Sequence, residues 1–109
     1  MLIPSFGLEK SGANYALYEL IGACNSYTIG DLQTKIFENI KSTNVVLDLS
    51  QVTTMDSTGM GMLFACFNKG LDTGFKLYLM NMSFAVINTV KETGFLEAFN
   101  VITSVTEVQ

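Results

Sequence analysis

The run from Val45 to Gly61, VVLDLSQVTTMDSTGMG, passes from strand chemistry to helix chemistry within 17 residues. Its first five residues, Val45-Val46-Leu47-Asp48-Leu49, are almost continuously apolar and rich in β-branched side chains, the pattern of a central strand buried on both faces. A short loop then delivers Asp56-Ser57-Thr58-Gly59 to the start of an apolar helix. From about Ser57 onward, Met60, Leu63, Phe64, Phe67 and Leu71 recur at helical spacing and predict a stripe that faces the core. Met62 and Cys66 lie off that stripe and either face a partner or pack on a neighbouring helix, the second being the expectation. Gly70 and Gly74 flank the helix exit.

Outward from this stretch the same alternation repeats. On the N-terminal side, Phe6 to Lys10, the turn cluster Ser11-Gly12-Ala13-Asn14 and Tyr15 to Ile21 predict a hairpin. Thr28-Ile29-Gly30-Asp31 has the form of a capping box, with Leu32, Ile36 and Ile40 as the apolar stripe of a helix closed by Lys41-Ser42-Thr43-Asn44. On the C-terminal side, Phe75 to Met80 predicts a strand. Ser83 caps a helix holding Val86, Ile87 and Val90 and ending at Gly94. Phe99 to Ile102 predicts a last short strand. The order ββαβαβαβ predicts an α/β fold: a largely parallel sheet of four to five strands, begun by the hairpin and covered by three to four helices. No repeat, linker or second core is visible, so residues 1–109 are expected to form a single domain.

Composition narrows the chemistry. The chain is 49% hydrophobic and 15% charged with a net charge of −4, and its six basic residues are scattered singly. Nucleic-acid binding, which needs clustered cations, is not expected. The absence of histidine removes imidazole bases, Ser–His and Cys–His nucleophile pairs and His-ligated metals. Cys24 and Cys66 have no metal-ligand spacing and are expected to be free, buried thiols in a reducing compartment. The start lacks the pattern of a signal peptide. The longest apolar run, Met60 to Phe67 with Gly61 counted, is far short of the roughly 20 residues that cross a bilayer. A cytoplasmic, non-enzymatic protein without metal or cofactor is the expectation.

At the mouth of the helix that begins near Ser57, the first backbone N–H groups lack partners within the helix and the helix dipole is positive. Ser57 and Thr58 therefore place hydroxyls where added negative charge is tolerated, and a phosphate on Ser57 is expected to accept bonds from those N–H groups. Gly59 and Gly61 keep the surface low for a partner's approach. The plainer alternative stays open on these residues alone: Asp56 or Ser57 is an N-cap worth about 1 kcal/mol. Other readings fail on spacing. A receiver domain would need an acidic pair after its first strand, and Tyr15 to Ile21 is followed by none. Thr58 interrupts the Asp-Thr/Ser-Gly of an aspartic protease, and Gly59-Met60-Gly61 does not continue into GxGxxG.

The segment Asp48-Leu49-Ser50 followed by Met55-Asp56-Ser57-Thr58-Gly59-Met60-Gly61 resembles the signature of the STAS domain family, in particular its bacterial anti-sigma factor antagonists. Leu20-Ile21-Gly22-Ala23-Cys24-Asn25, Ser83-Phe84-Ala85-Val86 and Thr93-Gly94-Phe95 are similar to the flanking family elements. The sequence departs from the pattern at Ala23 and Asn25, where the family often has Glu and Asp. It also departs after its last strand, where many relatives continue into a helix; an uncovered sheet would favour self-association, so a monomer or weak homodimer is expected. The resemblance implies a phosphorylation switch. Ser57 is the acceptor, and an anti-sigma factor with serine kinase activity phosphorylates it using its own ATP. The unmodified chain binds that partner and frees a sigma factor, and a phosphatase resets the cycle. Partner contacts are implied at Asn25, Ser26, Asp56, Ser57, Thr58, Gly59, Met60 and Gly61. The alternative from a different class is a STAS scaffold or ligand-binding subunit of a signalling or lipid-transport complex, with Ser57 no more than part of a cap.

Overall fold

In the computed structural model the described residues are 6–11, 14–25, 30–94 and 96–108. Strand β1 (Phe6–Ser11) precedes β2 (Tyr15–Cys24), helix α1 (Gly30–Asn39), β3 (Asn44–Met55), α2 (Ser57–Thr73), β4 (Leu77–Met80), α3 (Phe84–Glu92) and β5 (Asn100–Ile102), with 3-10 turns at Leu96–Ala98 and Val105–Glu107. The strands form one sheet in the order β1-β2-β3-β4-β5. β1 runs antiparallel to β2, and β2, β3, β4 and β5 are parallel. The α/β fold with its N-terminal hairpin is as the alternation of patterns requires. The proposed capping box at Thr28, the Gly12-Ala13 turn and Phe95 lie outside the described residues.

Spatial order follows chain order, so crossovers of one hand carry all three helices to the same face. The main core lies there, between Tyr18, Leu20, Leu47, Leu49 and Leu79 of the strands and Leu32, Ile36, Leu63, Cys66, Val86 and Val90 of the helices. A smaller cluster on the opposite face joins Leu17, Val46, Tyr78, Met80 and Ile102 to Val108. Asn44, buried where β3 begins, donates to the Asn14 carbonyl and accepts from the Lys76 N–H, at 3.1 and 2.9 Å. One amide thus ties the entries of β2, β3 and β4 together.

Two expectations are corrected. The stretch from Ser50 to Met55 is strand, not loop. Pairing with β2 slips twice, between Glu19 and Ile21 and between Gly22 and Ala23, and each slip adds one residue to β3. Two adjacent residues then point outward at each bulge. Leu49, Val52 and Met55 stay buried, while Ser50, Gln51, Thr53 and Thr54 are exposed. Opposite the bulges, Gly22 has φ +92°, a conformation that suits glycine. The second correction concerns α2. Its buried line is Gly59, Met60, Met62, Leu63, Cys66 and Gly70, whereas Leu71 is 68% exposed. Small residues set the rotation: a Cβ on Gly70 would stand 2.7 Å from the Phe75 carbonyl oxygen and 3.0 Å from Ile40 Cδ1. Phe64 and Phe67 are displaced to the flank, where both rings meet Phe99, at 5.2 and 5.3 Å between centroids.

Boundaries shift slightly elsewhere. The strand expected from Phe75 begins at Leu77. Ser83 caps α3 through a bond from the Val86 N–H, and Gly94 follows the helix with φ +76°. No helix among the described residues is long and apolar enough to cross a membrane.

Candidate partner-docking site

The central strands end side by side, with Cys24 of β2 in register with Met55 of β3. The Asp56 N–H bonds the Cys24 carbonyl at 3.2 Å, which turns the chain at the sheet's C-terminal edge. Asp56 is extended, with φ −96° and ψ −173°, and is the N-cap of α2. Its Oδ1 accepts from the N–H groups of Thr58 and Gly59, at 2.9 and 3.0 Å. The capping role therefore belongs to Asp56, and the Ser57 hydroxyl is left out of that duty. Ser57 and Thr58, the first two helical residues, are both exposed.

This arrangement changes one expectation about a phosphate at Ser57. Two first-turn N–H groups that were to receive it are already taken by the Asp56 carboxylate. A phosphate there would add charge beside a carboxylate instead of completing an empty cap.

Gly59 is buried against the end of β2: a Cβ there would lie 2.7 Å from the Cys24 carbonyl oxygen and 3.0 Å from Met55 Cγ. Met60 is buried as well, while Gly61 is exposed and a Cβ on it would meet nothing within 4 Å. Asn25, half-buried, follows the last residue of β2 at this same edge. Ser26 lies outside the described residues. The fold thus brings Asn25 and the segment from Asp56 to Gly61 to one end of the molecule.

Beside Ser57 runs a groove of about 480 Å³ between α2 and α3. Met55, Met60 and Phe64 form its apolar part, and Asp56, Ser57 and Gly61 its α2 side. Thr89, Glu92 and Thr93 line it from α3. The Thr89 hydroxyl donates to the Met55 carbonyl at 3.4 Å, which ties the two sides together. Sequence reasoning missed these three residues. They stand some thirty positions away, and nothing in their local pattern announces where α3 packs.

The site exposes the hydroxyl-bearing residues Ser57 and Thr58, and neither cysteine is poised there as a thiolate nucleophile. Both are free and buried. Burial, with the nearby Asp56 charge as a lesser cause, raises the Cys24 thiol to about 11, and burial raises Cys66 to about 12. Among the described residues no three Cys, Asp or Glu side chains gather as a metal cluster would require.

Comparison with known proteins matches the STAS domain model to residues 8–108. No curated protein sequence matches the chain. Among solved structures, the unphosphorylated form of the anti-sigma factor antagonist SpoIIAA is similar, with 20% identity, a TM-score of 0.76, and 91% of this chain and 89% of that chain covered. An anti-sigma factor antagonist from Mycobacterium paratuberculosis has 20% identity and a TM-score of 0.76 over 92% of this chain and 86% of its own. A Moorella thermoacetica RsbS carrying a serine-to-glutamate substitution has 15% identity and a TM-score of 0.75, over 93% and 89%. At these identities the likeness is one of fold.

Proposed function

The chain belongs to the STAS domain family, and from that premise we propose that it is an anti-sigma factor antagonist switched by phosphorylation of Ser57. One observation carries this reading: Asp56 performs the capping of α2, so that the exposed Ser57 hydroxyl is spared for another role beside an open groove. The solved antagonists that share the fold support it.

The partner is an anti-sigma factor with serine kinase activity that supplies ATP. The Ser57 oxygen attacks the γ-phosphorus, the bond to the β-phosphate oxygen breaks, and ADP leaves. The hydroxyl proton passes to a base on the kinase. The unmodified chain occupies the anti-sigma factor and frees a sigma factor in the bacterial cytoplasm. Phosphorylation adds about −1.5 to −2 charges beside Asp56. Burying that charge against the partner is costly, and a penalty of about 3 kcal/mol weakens binding more than a hundredfold. A phosphatase restores the hydroxyl.

The test mixes the protein with the purified kinase and ATP and maps phosphate by mass spectrometry. Ser57 is expected to be modified. Ser57→Ala should bind the kinase and resist modification, and Ser57→Asp should bind poorly. Modification confined to another residue, or full-strength binding by Ser57→Asp, would refute the reading.

A further inference from the structure

Resting on the assignment of Ser57 as the switch, we infer that the groove beside it receives a lysine or arginine of the partner protein, and that Glu92 is the residue that recognises it. Glu92 ends α3 and faces the same groove as Asp56 and Ser57. The two carboxylates are not equivalent. Asp56 sits at a helix N-terminus, where the dipole is positive, and its oxygen accepts two N–H groups. Glu92 sits at a helix C-terminus, where the dipole disfavours an anion and a cation would be the stabilising choice.

Among the described residues that line the groove, no cation offsets that charge. All six basic residues are lysines, and none lines the groove among the described residues. Lys91, the neighbour of Glu92 in sequence, lines a different hollow with Ile87, Leu96 and Val101. Lys69 stands over the Phe37 ring, 5.9 Å from its centre. An acidic side chain against its helix dipole, sharing a groove with a second carboxylate, breaks a local rule, and no cation among the described lining residues compensates it. Such breaks mark functional positions.

The occupant follows from this chemistry. The apolar part of the groove, Met55, Met60 and Phe64, accepts the aliphatic stem of a lysine or arginine, and the carboxylate meets its charged head. Exposed Gly61 lets the partner's backbone come close. The cation also answers a need of the proposed reaction. The kinase must bring nucleotide phosphates up to Ser57, past Asp56 and Glu92, and a positive side chain docked on Glu92 reduces that repulsion.

The test measures binding of the purified anti-sigma factor kinase to the parent and to three variants, at low salt and at several-fold higher salt. Glu92→Lys is expected to lose about tenfold or more in affinity at low salt, with the loss shrinking as salt screens the contact. Glu92→Gln should lose about threefold. Glu97→Lys makes the same change in net charge at an exposed position on the other hollow, and should stay within about twofold of the parent. Thermal melts confirm that each variant is folded. If Glu92→Lys binds like the parent, or Glu97→Lys loses as much, the Glu92 contact is wrong and the assignment of Ser57 stands. If the parent itself binds no anti-sigma factor, both fall together.

Discussion

The carbonyl oxygen of Cys24 lies where a side chain on Gly59 would begin: a Cβ there would be only 2.7 Å away. That contact lets the first turn of α2 rest on the end of β2, and it fixes the height at which Ser57 is presented. Because the obstacle is backbone, it cannot swing aside. Gly59→Ala should therefore destabilise the fold by about 1–3 kcal/mol, as overpacking does. Gly61, two residues on, should behave in the opposite way. A Cβ there meets nothing within 4 Å, and Gly61→Ala in a helix interior should stabilise by about 0.5–1 kcal/mol. Urea unfolding of the two variants checks the sign of each change.

The division of labour between Asp56 and Ser57 can be separated by stability alone. Asp56→Ala removes the acceptor for two N–H groups and should cost about 1–2 kcal/mol. Asp56→Asn keeps a side-chain oxygen at the cap and should recover most of that loss. Ser57→Ala, at an exposed position, should change stability by less than about 0.5 kcal/mol. A large loss for Ser57→Ala in urea unfolding would return the hydroxyl to a structural role and remove the ground for treating it as a switch.

What could be read from the sequence, and what could not, divides on whether the signal is local. The strand at Val45–Leu49, the cap at Ser83 and the helix end at Gly94 each follow from neighbours within a few residues, and each stands where the local chemistry puts it. The second half of β3 was hidden because its two bulges space Leu49, Val52 and Met55 three apart, a period that belongs to neither strand nor helix. Leu71 was misassigned because the rotation of α2 is set by what Gly59 and Gly70 must touch, and those partners are distant in sequence. The same holds for the site. Asp56 to Gly61 was legible as one continuous motif, whereas Thr89 and Glu92 join it only through the packing of α3.

The two thiols give the stability a signed dependence on pH. Burial raises Cys24 from the ordinary 9.0 to about 11, with the Asp56 charge adding to the effect, and burial raises Cys66 to about 12. The unfolded chain thus releases these protons at lower pH than the folded one. Their contribution is complete below pH 9 and is lost as pH rises from about 9 towards 11 and 12. The Tm should fall over that window. The fall should be shallower in a Cys24→Ala, Cys66→Ala double variant, whatever its Tm at neutral pH. Native protein should also react slowly with alkylating reagents at pH 7, since the thiols are both protonated and covered. Equal slopes for parent and double variant would show that the thiols do not contribute.

Ser83 fastens α3 to the overhanging half of β3, and its loss should reach both stability and binding. Its hydroxyl donates to the Val52 carbonyl at 2.7 Å and accepts from the Val86 N–H at 3.3 Å. Its own N–H bonds the Leu49 carbonyl at 3.1 Å. Further along the helix, Thr89 donates to the Met55 carbonyl at 3.4 Å. The bulged strand, beyond the reach of β4, thus gives carbonyls at Leu49, Val52 and Met55 to α3. Ser83→Ala removes an N-cap and leaves the half-sheltered Val52 carbonyl without its donor. A loss of about 2–3 kcal/mol in urea unfolding is expected. Ser83→Asp separates the two bonds: it can cap the helix but cannot donate to Val52, so it should fall between the parent and Ser83→Ala. Ser83→Thr keeps both capacities and should stay closest to the parent. Because α3 carries Thr89 and Glu92 into the groove, Ser83→Ala should also weaken binding of the proposed anti-sigma factor partner, although Ser83 itself does not line that groove. If Ser83→Ala were as stable as the parent, the hydroxyl bonds would not be what holds α3 in place.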